Sequence, residues 1–368
     1  MHSTPSRLAL FCAVLSVPLL SAPRDHDDGS FIGPMHTIKA HSSTVPKNGD
    51  VNPYGVAVVP QEAGKLHAGH VLVSNFNNAE NLQGTGTTIV QVSPGDGSTE
   101  LFAQIDAAHL PGACPGGVGL TTALVVLRSG WVIVGSLPTT NGMASTASAG
   151  CLLVLNSAGD VVETLSGGDI NGPWDMTARE MGSTAVLFVT NVLIGTVAAS
   201  PNTVTNGTVL RIVLNIPGSG NPTETSRTIV ASGFGERTDP AALVVGPTGV
   251  GLGADGTLYV ADTLANRIVK IPDALTRATS AGTGTTVAGG SGLNGPLGLA
   301  IAPNGDILTV NANDGNMVET TPSGTQVTVK GVDVTGTGGG TLFGLAIRPN
   351  QRGVYFVNDG NNTLDLLH

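Results

Sequence analysis

The sequence predicts an all-β chain folded as a six-bladed β-propeller, closed by an N-terminal strand that completes the last blade. Three observations predict it. A two-part strand pattern occurs six times, always in the same order. Fifty-two glycines and 22 prolines supply the many turns such a repeat needs. The last copy is one strand short, and residues 35–41 (MHTIKAH) offer a spare strand near the other terminus.

The first part of the pattern is a turn running into a short apolar strand. Its copies are NPYGVAVVP (52–60), PGGVGLTTALVV (115–126), GPWDMTA (172–178), GPTGVGLGADG (246–256), GPLGLAIAPNG (295–305) and TLFGLAIRPN (341–350). The second part is an apolar strand ending in a small polar residue. Its copies are VLVSN (71–75), VIVGS (132–136), LFVTN (187–191), LYVAD (258–262), ILTVN (307–311) and VYFVN (354–358). Pro247 and Pro296 open consecutive copies at the ~40–50-residue interval of a four-stranded blade. Val, Ile and Leu alternating with Thr and Asn give a strand period, not a helical one. Third and fourth strands follow in blades one to five. In blade five, 316–324 leads through Ser323-Gly324 into 325–331. After VYFVN only a turn and TLDLLH (363–368) remain, so the N-terminal segment must supply the missing strand. Closure by both termini removes the open edge between first and last blades.

Residues 258–271, LYVADTLANRIVKI, carry the sharpest form of the repeat: a strand ending in Asp262, a turn with Asn266 and Arg267, and a second strand from Ile268. This segment resembles the core of an NHL repeat, and the resemblance extends over residues 35–368. It implies a propeller of the secreted bacterial type, with a more distant similarity to gluconolactonase- and paraoxonase-like propellers. Those bind a divalent ion at the upper mouth of the channel. "Upper" denotes the face where first strands begin and second strands end.

Residues 1–22 read as a secretory signal peptide, with the apolar run 8–20 after Arg7, and 23–34 as a linker. This implies a secreted or periplasmic protein with no membrane insertion after signal removal. The chain has 368 residues and a net charge of −10 with only 16 Lys and Arg, which argues against a nucleic-acid partner. Beyond Cys12, Cys114 and Cys151 form an even pair. Both fall at the upper face, so they read as one disulfide or as two separate buried thiols.

Register aligns Asn75, Ser136, Asn191, Asp262, Asn311 and Asn358 at the ends of the second strands. The amides and Asp262 could offer oxygens to Ca²⁺ or another divalent cation, or bond the backbone of the turn that follows, as Asx residues do. Asp175 stands where other blades have Gly55, Gly298 and Gly344. With Trp174 it is the most site-like dipeptide and the candidate catalytic or ligand-binding group. Further ligand candidates are His109, in the loop entering blade two, and Glu236 and Arg237, in the segment 233–241 read as entering blade four. Long insertions at 77–87, 139–150 and 195–207 rise on the upper face. On the lower face, the His67–His70 pair is expected without nearby acids.

No G-x-S-x-G, H-E-x-x-H or dinucleotide loop is present. The expected function is therefore a monomeric binding or interaction module for a protein, peptide or carbohydrate. The alternative is a metal-dependent hydrolase or lactonase at the upper mouth of the channel.

Overall fold

Second strands such as Val71–Asn77, Leu258–Asp262 and Val354–Asn358 are buried along their whole length. Each is flanked by strands of its own sheet and covered on both faces by adjacent blades. That is why their sequences are continuous Val, Leu and Phe runs. In this computed structural model, which describes residues 1–2, 29–336, 339–349 and 352–368, all sheets are antiparallel and there are six of them.

Blade one contains Val51–Val58, Val71–Asn77, Thr88–Val92 and Thr99–Gln104. Blade two contains Leu120–Val126, Val132–Ser136, Cys151–Leu155 and Val161–Ser166. Blade four contains Pro247–Leu252, Leu258–Asp262, Arg267–Ile271 and Thr285–Gly289. Blade five contains Pro296–Ile301, Ile307–Asn311, Asn316–Thr320 and Gln326–Gly331. The fold is thus the six-bladed β-propeller that the repeat predicts. The only α-helix among the described residues is the single turn Thr196–Ala199.

Blade three departs from the pattern. Pro173–Met181, Thr184–Asn191 and Val204–Asn215 are followed by a long strand, Thr223–Asp239. Its last residues, Arg237 to Asp239, pair with Leu243–Val245 and make a fifth strand. Residues 233–241 therefore belong to blade three and its terminal hairpin, not to an irregular loop entering blade four. Gly233, at φ +88°, and Gly235 interrupt the apolar alternation and hide the strand.

Blade six closes the ring. Leu342–Ile347, Val354–Asn358 and Thr363–Leu367 are completed by Ile38–Ser43, which pairs antiparallel with Thr363–Leu367 from Ile38 opposite Leu367 to Ser43 opposite Thr363. The preceding residues are fastened to blade five. Phe31 and Ile32 donate backbone N–H groups to Glu319 at 2.6 and 2.9 Å. The Lys330 ammonium donates to the carbonyls of Ile32, Gly33 and Met35, and Ile32 is completely buried. Residues 3–28, which hold nearly all of the expected signal peptide, Cys12 included, and the first half of the expected linker, lie outside the described residues. Among the described residues no helix is long and apolar enough to cross a membrane.

Candidate functional site

The first strand of each blade lines the central channel. Most of these strands carry a bulge near the same position, where the chain reads Tyr54-Gly55, Trp174-Asp175, Thr248-Gly249, Leu297-Gly298 and Phe343-Gly344. The glycines have a steric reason. A Cβ at Gly249, Gly298 or Gly344 would run into the backbone carbonyl of Leu297, Phe343 or Tyr54 in the next blade. The residues before them fill the upper mouth. Tyr54 stacks on Phe343 at 3.9 Å and on Phe76 at 4.4 Å between ring centroids, and Trp174 lies 6.4 Å from Tyr54. Ala242 and Leu243, from the blade-three hairpin, are buried in the same cluster. Beneath Ala242 only about 10 Å³ of free space remains. The upper mouth is closed by a hydrophobic stopper.

The lower half of the channel is open. The first strands pass from buried at their starts to half-exposed at their ends. A cavity of about 440 Å³ lies between them, walled largely by Val56, Leu124, Val250, Leu252, Leu299 and Leu345. Arg128 and Glu180 stand at its rim.

Asp175 also lines this cavity, on the side towards the stopper, and is 7% exposed. Its backbone N–H donates to Thr190 Oγ1 at 3.0 Å, and that hydroxyl donates to Thr248 O of blade four at 2.7 Å. Ser74 links Gly55 of blade one to Thr121 of blade two in the same way. The Asp175 carboxyl accepts from Met176 N at 2.8 Å and from Val250 N of blade four at 3.2 Å. Burial pushes its pKa up to about 8, against the opposing pull of those two N–H groups. At neutral pH this group is mostly a neutral acid facing a chamber of mixed apolar and polar lining.

The residues aligned by the repeat behave differently. All six second-strand ends are buried, and each is tied to loops near its own strand end. Asn75 Nδ2 donates to Thr44 O, Ser136 Oγ to Gly117 O, and Asn171 N donates to Asn191 Oδ1. Asp262 accepts from Arg267 Nε at 2.8 Å, Asn311 Nδ2 donates to Gly292 O, and Asn358 Oδ1 accepts from Gly360 N. None of them lines the channel cavity or the void below Ala242. Each of the six thus makes at least one such bond, while Asn75 Oδ1, Asp262 Oδ1 and Asn311 Oδ1 are buried without a partner. Among the described residues, no three His, Cys, Asp or Glu side chains are grouped to hold a metal ion.

The other candidates scatter. Trp174 is part of the stopper. His109 is exposed and bonded to Asp106 at 2.6 Å. Glu236 is fully buried and accepts from Thr196 Oγ1 at 2.9 Å, with burial pushing its pKa up to about 7. Arg237 pairs with Asp239 on the surface hairpin. Cys114 and Cys151 form a disulfide that fastens the loop entering blade two to the third strand of that blade. His67 is not free of acids: its Nδ1 lies 2.9 Å from Glu62 Oε1 and its Nε2 lies 3.6 Å from Glu100 Oε1. Glu100 comes from the fourth strand of the same blade, which sequence distance conceals. The apolar wall of the lower cavity was likewise missed as a site. Its only sequence signal is the half-polar end of each first strand.

No protein-family model and no curated protein matches the chain. Solved structures resemble its fold. A gluconolactonase from Xanthomonas campestris superposes with a TM-score of 0.54 at 12% identity, covering 88% of each chain. Regucalcin from Agrobacterium tumefaciens, described as a calcium-binding protein, gives 0.54 at 15% identity, covering 88% of this chain and 92% of its own. A PQQ-bound aldose sugar dehydrogenase from Streptomyces coelicolor gives 0.51 at 14% identity, covering 90% and 98%. At such identities the likeness is one of fold, and the chain shares the six-bladed propeller of these gluconolactonase- and regucalcin-like proteins.

Proposed function

We propose that this secreted or periplasmic propeller, NHL-like in its repeats, acts on a small organic molecule that enters the channel from the lower face. The reaction is hydrolytic, of the lactone- or ester-opening kind. One observation carries the reading: a cavity of about 440 Å³ with a single carboxyl at its inner end, raised to a pKa of about 8. Concave chambers of this size that combine apolar side chains with a few polar groups, here Thr122, Thr177 and Asp175, suit small molecules better than protein surfaces. The gluconolactonase among its fold neighbours lends the hydrolytic reading support over a pure interaction module.

In this reading neutral Asp175 donates a hydrogen bond to the substrate carbonyl, polarising it. Water adds to the carbonyl carbon, the ring or ester C–O bond breaks, and the proton lost by water passes to the leaving oxygen. The Met176 and Val250 N–H groups hold the carboxyl in place. This reading routes no step through a metal.

The test is a panel of lactones and aryl esters, with and without chelator, against wild type and Asp175→Asn. Turnover that survives chelator and is lost in a folded Asp175→Asn protein supports the proposal. Saturable binding without turnover returns the protein to a binding module. Neither binding nor turnover, or turnover unchanged in Asp175→Asn, overturns it.

A further inference from the structure

We infer that a second pocket, on the upper face where blades one and six meet, binds a small hydrogen-bond-donating organic cation, an ammonium compound bearing hydroxyls such as an amino sugar. This pocket has a volume of about 330 Å³. It faces away from the channel opening and does not depend on the reading given for Asp175.

Hydrogen-bond bookkeeping gives the sign of the ligand. Asn77 Nδ2 donates to Asn81 Oδ1 at 2.7 Å, which fixes the amide and leaves Asn77 Oδ1 buried without a partner. Gln83 Nε2 donates to Pro240 O at 3.1 Å, which leaves Gln83 Oε1 in the same condition. Asn52 Oδ1 is not counted with them, because the Asn52 amide interacts with the buried Tyr54 hydroxyl beside it. Asn52 and Asn77 are only 7% and 2% exposed, and both line the pocket. Buried acceptors without donors are costly, and their presence calls for an explanation. Both unpartnered atoms, Asn77 Oδ1 and Gln83 Oε1, are oxygens, so whatever completes them must donate.

Charge points the same way. Asp359 lines the pocket and forms no ion pair among the described residues. Burial and the neighbouring Asp333 push its pKa up to about 7. Asp239 adds to the negative field felt at Tyr54, next to the pocket. A bound cation relieves that repulsion and favours the ionised carboxylate.

Backbone and size complete the case. Asn52, Asn81 and Asn362 adopt left-handed φ values of +61°, +59° and +57°, and all three line the pocket. Asn362 Oδ1 accepts from Asn52 N at 2.7 Å and locks two of them together. Residues held in such conformations concentrate at ligand sites. The volume corresponds to about ten water molecules at ~30 Å³ each, far more than a bare ion occupies. A calcium-type ion also draws on several charged oxygens at close range. Here a single carboxylate stands among amides.

The test uses the full chain titrated with glucosamine at pH 7 by calorimetry and thermal shift, with glucose and calcium chloride as parallel probes. Saturable glucosamine binding is expected, with glucose weaker by about tenfold or more because it lacks the charge. Asp359→Asn should weaken glucosamine about tenfold, and Gln83→Ala, in a surface loop, should weaken it severalfold. Asp175→Asn should leave it unchanged, which separates this pocket from the channel. Absence of glucosamine binding overturns the inference. So does undiminished binding in both pocket variants, or calcium binding that displaces glucosamine, which would mark a metal site instead.

Discussion

The two ends of the central channel are built from the same six strands and end in opposite states. At the upper end, the residue before each bulge is Tyr54, Trp174, Leu297 or Phe343 in four of the blades, and the rings stack across the axis under the 237–245 hairpin. Only a few residues further along, the same strands present Val56, Leu252 and Leu299 to an open chamber. The difference teaches how one repeat divides its labour. Where large side chains meet on the axis, their burial stabilises the ring. Where smaller ones stand back, space is left for a ligand. Asp175 sits at the boundary, in the one blade whose aromatic is followed by an acid instead of glycine.

The strongest way to break this comparison is to unstop the upper end. Tyr54→Ala removes a ring that contacts both Phe76 and Phe343, and a buried aromatic lost from a packed core costs about 3–5 kcal/mol. Urea denaturation should show that loss. Leu345→Ala in the lower chamber should cost less than half as much. Equal costs at the two ends would mean that the stopper is not the stabilising element.

Next in size is the disulfide, which belongs to the upper end alone. Its cysteines are 37 residues apart in sequence. The chain-entropy model assigns a closed loop of that length about 3–4 kcal/mol. Replacing both cysteines by serine should lower the urea midpoint by a corresponding amount and leave ligand binding at the lower face unchanged. A double variant as stable as wild type would show that the loop entering blade two is held by packing alone.

Much of this was legible in the residues. The blade count, the N-terminal closing strand and the Cys114–Cys151 bridge follow from local periodicity and from which strand ends share a face. The stopper was not legible, because Tyr54, Trp174 and Phe343 meet only after the ring closes. Their shared register, each just before a glycine or Asp175, is the signal that could have found it. The aligned polar ends show what register leaves open: it fixes where a Cα lies, while neighbouring groups, backbone or side chain, decide which atoms of the side chain are used. Asn75 and Asn191 each keep one polar atom of the amide buried without a partner. Asp175 stands out because it breaks the pattern, and the chamber it lines opens to the face opposite the expected one.

A pH profile sharpens the boundary between the two ends. Asp175 is raised from an ordinary carboxylate value to about 8 in the folded state. Between roughly pH 4 and 8 the unfolded chain releases a proton that the folded chain keeps. Its contribution to stability is therefore complete below the unfolded pKa and is lost as pH rises through that window. The slope for one group is at most about 1.4 kcal/mol per pH unit, or about 2–3 kcal/mol between pH 5 and 7. Glu236 and Asp359, both raised to about 7, act with the same sign. Asp175→Asn should thus flatten the profile in part. An unchanged slope would place the carboxyl in a wetter setting than its surroundings imply.

The smallest expected change in stability falls at the lower rim, where the comparison can be turned into a functional one. Leu252 lines the chamber, is only half-buried, and packs at the margin of the core between blades three and four. Truncation to alanine removes apolar surface that water already reaches in part, so it should cost about 1 kcal/mol or less. The same truncation widens the wall of a chamber of about 440 Å³ on the side where a ligand enters. Its effect on the affinity of any bound lactone or ester should therefore be proportionally larger than its effect on folding. Tyr54→Ala should show the reverse: a large loss of stability with channel affinity nearly kept once the protein is folded. Measuring urea midpoints and ligand affinities for these two variants side by side separates the roles. If Leu252→Ala leaves affinity untouched while Tyr54→Ala abolishes it, ligands reach the axis from the stoppered end, and the assignment of the two mouths is inverted.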